Sequence, residues 1–569
     1  MEKLVNPTVQ GGGGFGNSMA VGGQIGFIGV PGDDNAKGIN AGAVQVFLAG
    51  QWFNNWHSQS SIYPPVVNSG GQFGRAVDAE PGDDVTPFAV AISSLGVDAS
   101  DIGRVYMYDM ESVTPVYKQT ITPADSQPGD WIGMDLDLSD NNLIIGASGD
   151  DNANGVDAGA AYVYVRSGAT WVPQQKLLVS GPSGSANDRM GRSVAISGNH
   201  AALASTNYQE NLVNDFGGVV VFKRVGTVWS ELQVLTGQAD PSGGEEFGSS
   251  VAMAYDWLVV GAPGATVDGL ADAGAIYLYQ FNGSSYVLVN RLTDQKPVAG
   301  ARLGQNVDMA WSHIAATAPG AKLAVTYREY DGVFLQERRV SDPDAAATGS
   351  FADGIAVDNA VLFVGDSGDD QGVTTNRGAV YASENPHPLT SGTDDATVAS
   401  VILPGWDTYG CTRSATNDGQ ASCGNSNSSP DVWFKYTATS SGRATARTMN
   451  GDYDTVLSVH TAAPGTAANQ VVCNDDIEVG DRHSLVSFVM TEGETYLIRV
   501  SGYNGASGIF GLKLFCPADI NQDSQVDFFD YLDFVAAFDA QTTVADFNGD
   551  EQVDFFDYLD FAAAFDTGC

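Results

Sequence analysis

A large apolar residue followed by glycine punctuates the first two thirds of this 569-residue chain at a nearly constant interval. Phe15-Gly16, Phe73-Gly74, Ile132-Gly133, Met190-Gly191, Phe247-Gly248 and Leu303-Gly304 are equivalent, and their glycines are spaced 58, 59, 58, 57 and 56 residues apart. Phe351-Ala352 opens a seventh copy 48 residues further on. A fixed period of this length is the signature of an architecture built from one repeated supersecondary unit. In the clearest copy, four short β-rich runs follow the dipeptide, near 250–254, 257–263, 274–279 and 286–292, with turn residues between them. Four short strands per unit describe the blade of a β-propeller. The expectation for residues 1–385 is therefore a seven-bladed propeller.

The N-terminus predicts how such a ring closes. Lys3-Leu4-Val5 before Phe15-Gly16 matches Lys176-Leu177-Leu178 before Met190-Gly191, which is the last strand of a preceding unit. The seventh copy ends at Val380-Tyr381 without a last strand of its own. The N-terminal strand is expected to complete it and so to cover edges that would otherwise invite association.

These units resemble the FG-GAP repeat of integrin α-chain and bacterial extracellular propellers. Integrin-type repeats carry a calcium loop between the FG and GAP elements. Here that connection is a tight turn, as in Ser139-Asp140-Asn141-Asn142, so those sites are not carried over. Acidic residues cluster later, at Gly32-Asp33-Asp34-Asn35, Gly149-Asp150-Asp151-Asn152 and Gly368-Asp369-Asp370-Gln371. Asp150, Asn152 and Asn154 alternate before Gly155 as in a calcium loop. They equally suit a turn, since Asp and Asn bond their own backbone.

Charge narrows the partners. Acidic residues outnumber basic ones 68 to 26, a net charge of −42, which disfavours nucleic acid and anionic bilayers. Charged residues make up 17% and hydrophobic ones 43%, the balance of a folded chain. No apolar stretch approaches the ~18 residues of a membrane helix. The start, Met1-Glu2-Lys3-Leu4-Val5-Asn6-Pro7, lacks the apolar run of a signal peptide. The six histidines are isolated, and neither His-Glu-x-x-His nor Gly-x-Ser-x-Gly occurs. A non-catalytic binding or scaffolding surface is expected of the ring.

After a linker at 386–392 the period stops. Residues 393–516 read as short alternating strands without helical period, a β-sandwich. Pro430-Asp431-Val432-Trp433-Phe434-Lys435-Tyr436 and Gly493-Glu494-Thr495-Tyr496-Leu497-Ile498-Arg499-Val500 resemble the bacterial pre-peptidase C-terminal domain, a non-catalytic module of secreted proteins. Asp452, Asp454, Asp475 and Asp476 either share a calcium ion between loops or end their strands as ordinary turn residues.

Residues 517–569 hold two copies of a loop-helix unit, 27 residues apart. Asp519, Asn521, Asp523, Gln525, Asp527 and Asp530 occupy positions 1, 3, 5, 7, 9 and 12 of a calcium loop. Asp546, Asn548, Asp550, Gln552, Asp554 and Asp557 repeat them. From Pro517 onward there are thirteen acidic residues and no basic one, so calcium is expected to couple to folding here. Duplicated loops with Asp at position 12, each leading into a helix, resemble a type I dockerin. That resemblance places partner recognition at Phe528, Phe529, Phe555 and Phe556. A cohesin-like partner, self-association, or packing on the sandwich would each use those aromatics.

All five cysteines lie in the last third. Close spacing suggests Cys411–Cys423, and Cys516–Cys569 would clasp the C-terminal segment, leaving Cys473 over; such bridges fit an oxidising compartment. Taken together the chain is expected to be mainly β: a seven-bladed propeller, a β-sandwich and a small helical EF-hand-like module. Its expected role is calcium-dependent adhesion or assembly, secreted or at the cell surface, with a protein or glycan as ligand. A lectin or polysaccharide-acting propeller enzyme, and a self-assembling subunit of a surface layer or fibre, are the alternatives.

Overall fold

A computed structural model describes the chain apart from residues 8–12, 51–54, 80–88, 97–101, 112, 181–183, 209–216, 238–243, 311, 331–332, 345–349, 359–360, 371–376, 385–394, 403–406, 413–414, 440, 450–452, 478–481, 516–517, 522–525, 527, 543–544, 548–551 and 568–569. The protein is mainly β and divides into two compact units. One comprises Met1–Arg328 and Gln336–His387, the other Pro388–Cys569 with Glu329–Leu335.

The first unit is built of propeller-like four-stranded antiparallel sheets, seven among the described residues. Each is a meander, for example Val251–Ala254, Trp257–Ala262, Ala275–Phe281 and Tyr286–Leu292 in that spatial order. The last sheet is completed from the start of the chain. Glu2–Val5 pairs antiparallel with Ala379–Glu384, Leu4 opposite Val380, as the match of Lys3-Leu4-Val5 to Lys176-Leu177-Leu178 anticipated.

The repeat motif has a steric cause. A Cβ on Gly29 would lie 2.2 Å from the carbonyl oxygen of Gly74, the motif glycine of the following copy. Gly146 meets Gly191, and Gly261 meets Gly304, in the same way, at 2.1 and 2.0 Å. Gly365 of the last sheet meets Gly16 of the first at 2.1 Å, so the contact that joins consecutive sheets also joins the ends of the series. The preceding aromatics are sealed between sheets: Phe15, Phe73, Phe247 and Phe351 are fully buried. The core accordingly lies between neighbouring sheets. One cluster mixes Ile28 and Val30 of the first sheet with Leu4, Phe363 and Val380 of the last.

In the second unit a five-stranded sheet runs Ser400–Val401, Asp431–Thr437, Thr495–Gly502, Thr455–His460 and Gln470–Asn474 in spatial order. A four-stranded sheet runs Asp407–Cys411, Ile509–Phe515, Gly442–Met449 and Leu485–Met490. Alternate residues of both sheets, among them Phe434, Ile498, Val500, Ala446, Phe488 and Leu512, share one apolar core. Trp433 is fully buried on the other face of its strand, where its indole N–H donates to Asp418 at 2.6 Å and Asp431 at 2.9 Å. Asp431 also accepts from the buried Arg499 at 2.6 Å.

The cysteine pairing differs from expectation. Cys423 is bonded to Cys473, with Cα atoms 6.0 Å apart, and not to Cys411. Cys411 ends a strand of the four-stranded sheet, whereas Cys473 lies on the edge strand of the five-stranded one, where Gln470 also bonds Ser422. Adjacency in space, across a sequence separation of 50, overrides adjacency in sequence. Cys516 and Cys569 lie outside the described residues.

Two helices follow, Phe528–Asp539 and Phe555–Thr567. Phe534 and Phe561 stack at 4.0 Å and 3° on the inner face, with Phe547 and Ala564 around them. Among the described residues no helix is long and apolar enough to cross a membrane.

Candidate functional site

The inner strands of all seven sheets surround a central cavity of about 1390 Å³. Three aspartates sit on those strands four residues after a motif glycine: Asp78, Asp137 and Asp308. Each reaches across to the next sheet. Leu138 N–H donates to Asp78 Oδ2 at 2.6 Å, Ile196 N–H to Asp137 Oδ2 at 2.6 Å, and Val357 N–H to Asp308 Oδ2 at 2.7 Å. Asp135 accepts from Val194 at 2.9 Å, Asp358 from Gly23 at 3.0 Å, and Ser193 and Ser250 hydroxyls from Val251 and Val307 at 3.1 Å. An inner strand has no strand beyond it, so its outward amides need acceptors, and the neighbouring sheet supplies them.

Burial among protein groups pushes Asp78 up to about 7, with the charge of Asp308 adding to the shift and the Leu138 amide opposing it. Asp137 is raised well above the usual carboxylate range, first by burial and then by Asp78, with which it shares a hydrogen bond. Two carboxyls so placed hold a proton that isolated ones would release. Sequence reasoning missed these residues. Their signal was present in Val77-Asp78-Ala79, Leu136-Asp137-Leu138 and Val307-Asp308-Met309, an acid flanked by apolar residues at one fixed position of the repeat.

The acidic loops of the sheets are built as turns. Asn152 Nδ2 donates to Asp150 Oδ1 at 3.2 Å and to the Gly159 carbonyl at 3.0 Å, while its Oδ1 accepts from the Asn154 amide at 2.9 Å. The first sheet repeats the arrangement with Asn35, Asp33 and Gly42. A cation is already there: Lys176 Nζ lies 2.7 Å from Asp150 and 2.8 Å from Asp125. Its counterpart Lys3 reaches Asp369 and Asp344 at 3.1 Å.

In the second unit, Asp454, Asp475 and Asp476 are brought together, with carboxylate oxygens within 4.8 Å of one another. The strand starting at Thr455 pairs antiparallel with the strand ending at Asn474, so the residues just beyond those two ends are neighbours. Burial, then the charges of Asp454 and Asp476, push Asp475 up to about 6. Asp454 Oδ1 and Asp475 Oδ1 are buried and accept no hydrogen bond from a described residue. Two orphaned oxygens in an all-oxygen donor set fit a hard cation such as calcium. Asp452 lies outside the described residues.

In the C-terminal loops, Asp519, Asp530, Asp546 and Asp557 are buried, at 5%, 0%, 5% and 0% exposure. The position-12 carboxylates fold back over their loops: Asp530 Oδ1 accepts from Asn521 N–H at 3.1 Å, and Asp557 Oδ1 from Phe547 N–H at 2.7 Å. Asp557 Oδ2 takes the Asp554 amide at 2.8 Å, and Asp554 caps the Phe556 amide at 2.8 Å. Arg443 of the four-stranded sheet reaches Asp546 at 3.3 Å. Gln552 is exposed. Asp523, Gln525, Asp527, Asn548 and Asp550 lie outside the described residues. The donor set is all-oxygen and acidic, which fits calcium. Beside the loops, Phe528, Phe529, Phe555 and Phe556 are 64–65% exposed. Phe528 stacks on Tyr531 and Phe555 on Tyr558, both at 16° between planes, so the two copies present the same surface.

The repeat-family comparison agrees with the fold. The FG-GAP repeat family matches residues 116–164 and 229–279. No curated protein sequence matches the chain. A putative 6-phosphogluconolactonase from Bacteroides uniformis is similar at 10% identity and a TM-score of 0.38, over 57% of this chain and 85% of that one. Sqt1 of Saccharomyces cerevisiae is similar at 10% identity and a TM-score of 0.37, over 67% and 88%. A streptogramin B lyase is similar at 10% identity and a TM-score of 0.38, over 68% and 97%. Scores this low carry no weight for function. The first unit thus carries FG-GAP repeats on propeller-like four-stranded sheets.

Proposed function

We propose that this chain is a non-catalytic extracellular recognition and assembly protein. Its parts are a seven-bladed propeller that recognises a ligand, a β-sandwich of the pre-peptidase C-terminal kind, and a dockerin-like calcium-ordered docking module. One observation carries the reading. Two equivalent pairs of phenylalanines stand in solvent directly after loops that bury four carboxylates, in a segment with no basic residue of its own. Exposed apolar area of this size is costly unless a partner covers it, and buried carboxylates in such a segment call for a cation. Asp519, Asn521, Asp523, Gln525, Asp527 and Asp530 would hold one calcium ion, and their equivalents from Asp546 to Asp557 a second. The Cys423–Cys473 bridge supports an oxidising, extracellular setting.

The test is light scattering on the eluting full chain in millimolar calcium and again in chelator, followed by pull-down from extracellular extracts. Growth in mass with calcium makes the partner another copy, as in a surface layer or fibre. A calcium-dependent monomer that captures a different protein supports docking. A chain that neither binds calcium nor acquires a partner overturns the reading.

A second reading, a propeller enzyme acting on polysaccharide, is favoured by the neighbouring carboxyls of Asp78 and Asp137 on the cavity wall, both raised by burial. Polysaccharide turnover that is lost in Asp137→Asn would establish it in place of the first.

A further inference from the structure

One rim of the central cavity is formed by the residues that directly follow the motif dipeptides. Arg75 and Arg192 hold this place in the second and fourth sheets, with Met134 between them; Asn17, Ser249 and Gln305 hold it elsewhere on the ring. Apart from His200, the two arginines are the only basic residues among the described residues that line the cavity. Arg192 is exposed and Arg75 half-buried.

Neither guanidinium forms an ion pair or hydrogen bond with a described residue. That is unusual in a chain with 68 acidic residues against 26 basic ones. Elsewhere Arg166 is paired to Asp109, Lys176 to Asp150, Arg302 to Glu246 and Arg339 to Asp294. The acid nearest Arg75 in effect is Asp135, whose carboxylate is committed to the amides of Val194 and Leu136. Asp353, the residue at the same place in the last sheet, turns onto the amide and hydroxyl of Ser367.

We infer that this rim binds the carboxylate or sulfate group of an acidic saccharide, gripped by Arg75 and Arg192. A guanidinium offers a planar fork of donors that matches either oxyanion, and it is weakly hydrated enough to give up water for one. The amide of Asn17 and the side chains of Ser249 and Gln305, the latter two bonding each other at 3.2 Å with capacity to spare, are neutral polar groups of the kind sugar hydroxyls use. A cavity of about 1390 Å³ accommodates a ring or two beyond the anion. The aspartates further along the inner strands would repel an anion if fully ionised. Burial shifts both Asp78 and Asp137 towards their neutral forms, which weakens that repulsion.

The inference names the ligand class for the recognition role proposed above and rests on it. It is tested on the full chain in calcium by calorimetric titration with glucuronate, glucose 6-sulfate and glucose. Saturable binding of an acidic sugar and none of glucose is expected, and whichever acidic sugar binds more tightly identifies the group. Arg75→Gln with Arg192→Gln should weaken it at least about ten-fold, since each lost charged contact is worth about a factor of ten. Lys296→Gln, outside the cavity lining, should leave binding unchanged. Because neither guanidinium forms an ion pair or hydrogen bond with a described residue, the melting temperature should stay near the parent value. No saturable binding of either acidic sugar, or equal binding by the double variant, overturns the site. Capture of a neutral glycan or a protein that survives in the double variant would overturn this site while leaving propeller recognition standing.

Discussion

The loops around Asp150 and the loops around Asp530 and Asp557 look alike on paper: Asp and Asn at alternate positions with a glycine or a small residue near the bend. They are built differently. In the sheets, Asp150 faces the ammonium of Lys176, and the Asn152 amide donates into the same carboxylate. In the C-terminal segment four carboxylates are buried where the local sequence supplies no cation, and one arginine from the neighbouring sheet reaches one of them. Alternating acids therefore do not by themselves specify an ion site. What differs is the kind of donor the fold delivers: a side-chain cation at Asp150, backbone amides at Asp530 and Asp557.

The strongest way to break that contrast is to remove calcium. Hydrogen exchange over residues 528–567 should show protection factors falling more than about 100-fold in chelator, because ion binding is folding free energy for such loops. Asp530→Ala with Asp557→Ala should do the same in saturating calcium. Protection that ignores both would place the C-terminal loops with the sheet loops.

Lys176→Met tests the other side. It leaves Asp150 and Asp125 facing each other without a counter-charge and should destabilise the first unit by about 1–2 kcal/mol, the cost of a partly exposed pair. Denaturant unfolding measures it. Recovery of that loss on adding calcium would mean that the loop is a latent metal site after all.

At the sandwich edge the sign should reverse. Asp475→Asn removes one of three crowded charges, so in chelator it should raise stability by about 0.5–1 kcal/mol, and it should erase any gain from calcium. A loss of stability in chelator would show that the cluster is satisfied by the protein itself.

The smallest effect is a pH slope in the first unit. The folded pKa of Asp78 is raised, to about 7, so the native state binds a proton that the unfolded chain gives up near pH 4. Its contribution is full below pH 4 and is lost as pH climbs towards 7. Between pH 4.5 and 7.5 the parent should lose about 1–3 °C of melting temperature relative to Asp78→Asn. Parallel curves would mean that the Asp78 carboxyl is ordinarily hydrated and holds no extra proton.

The repeats were readable because sterics write them directly into sequence. Nothing larger than glycine fits where Gly29 meets Gly74 or Gly365 meets Gly16, and the closing strand carries the same Lys-Leu pair as Lys176-Leu177. The aspartates of the cavity were not readable, because their role depends on which amides the next sheet turns towards them. A pairing such as Cys423 with Cys473 is set by strand order in a sheet, which spacing along the chain does not encode. The C-terminal loops fall between these cases: ligand spacing is local and visible, whereas the outward stance of Phe528 and Phe555 emerges only once Phe534 and Phe561 have filled the inner face.

The pairing of Glu2 with Ala382 gives the first unit an order of events during synthesis. Once made, the Glu2–Val5 strand has no partner until residues 379–384 emerge from the ribosome, several hundred residues later, at the usual ~5–20 residues per second a wait of tens of seconds. Throughout that interval a short unpaired strand and the open edge it must meet are both available to chaperones, or to the same segments of another nascent chain. Closing one long loop costs only slowly more as the loop lengthens, so the delay taxes timing far more than final stability. Moving the first five residues to follow Glu384 in a circular permutant would remove the wait and leave every sheet contact in place.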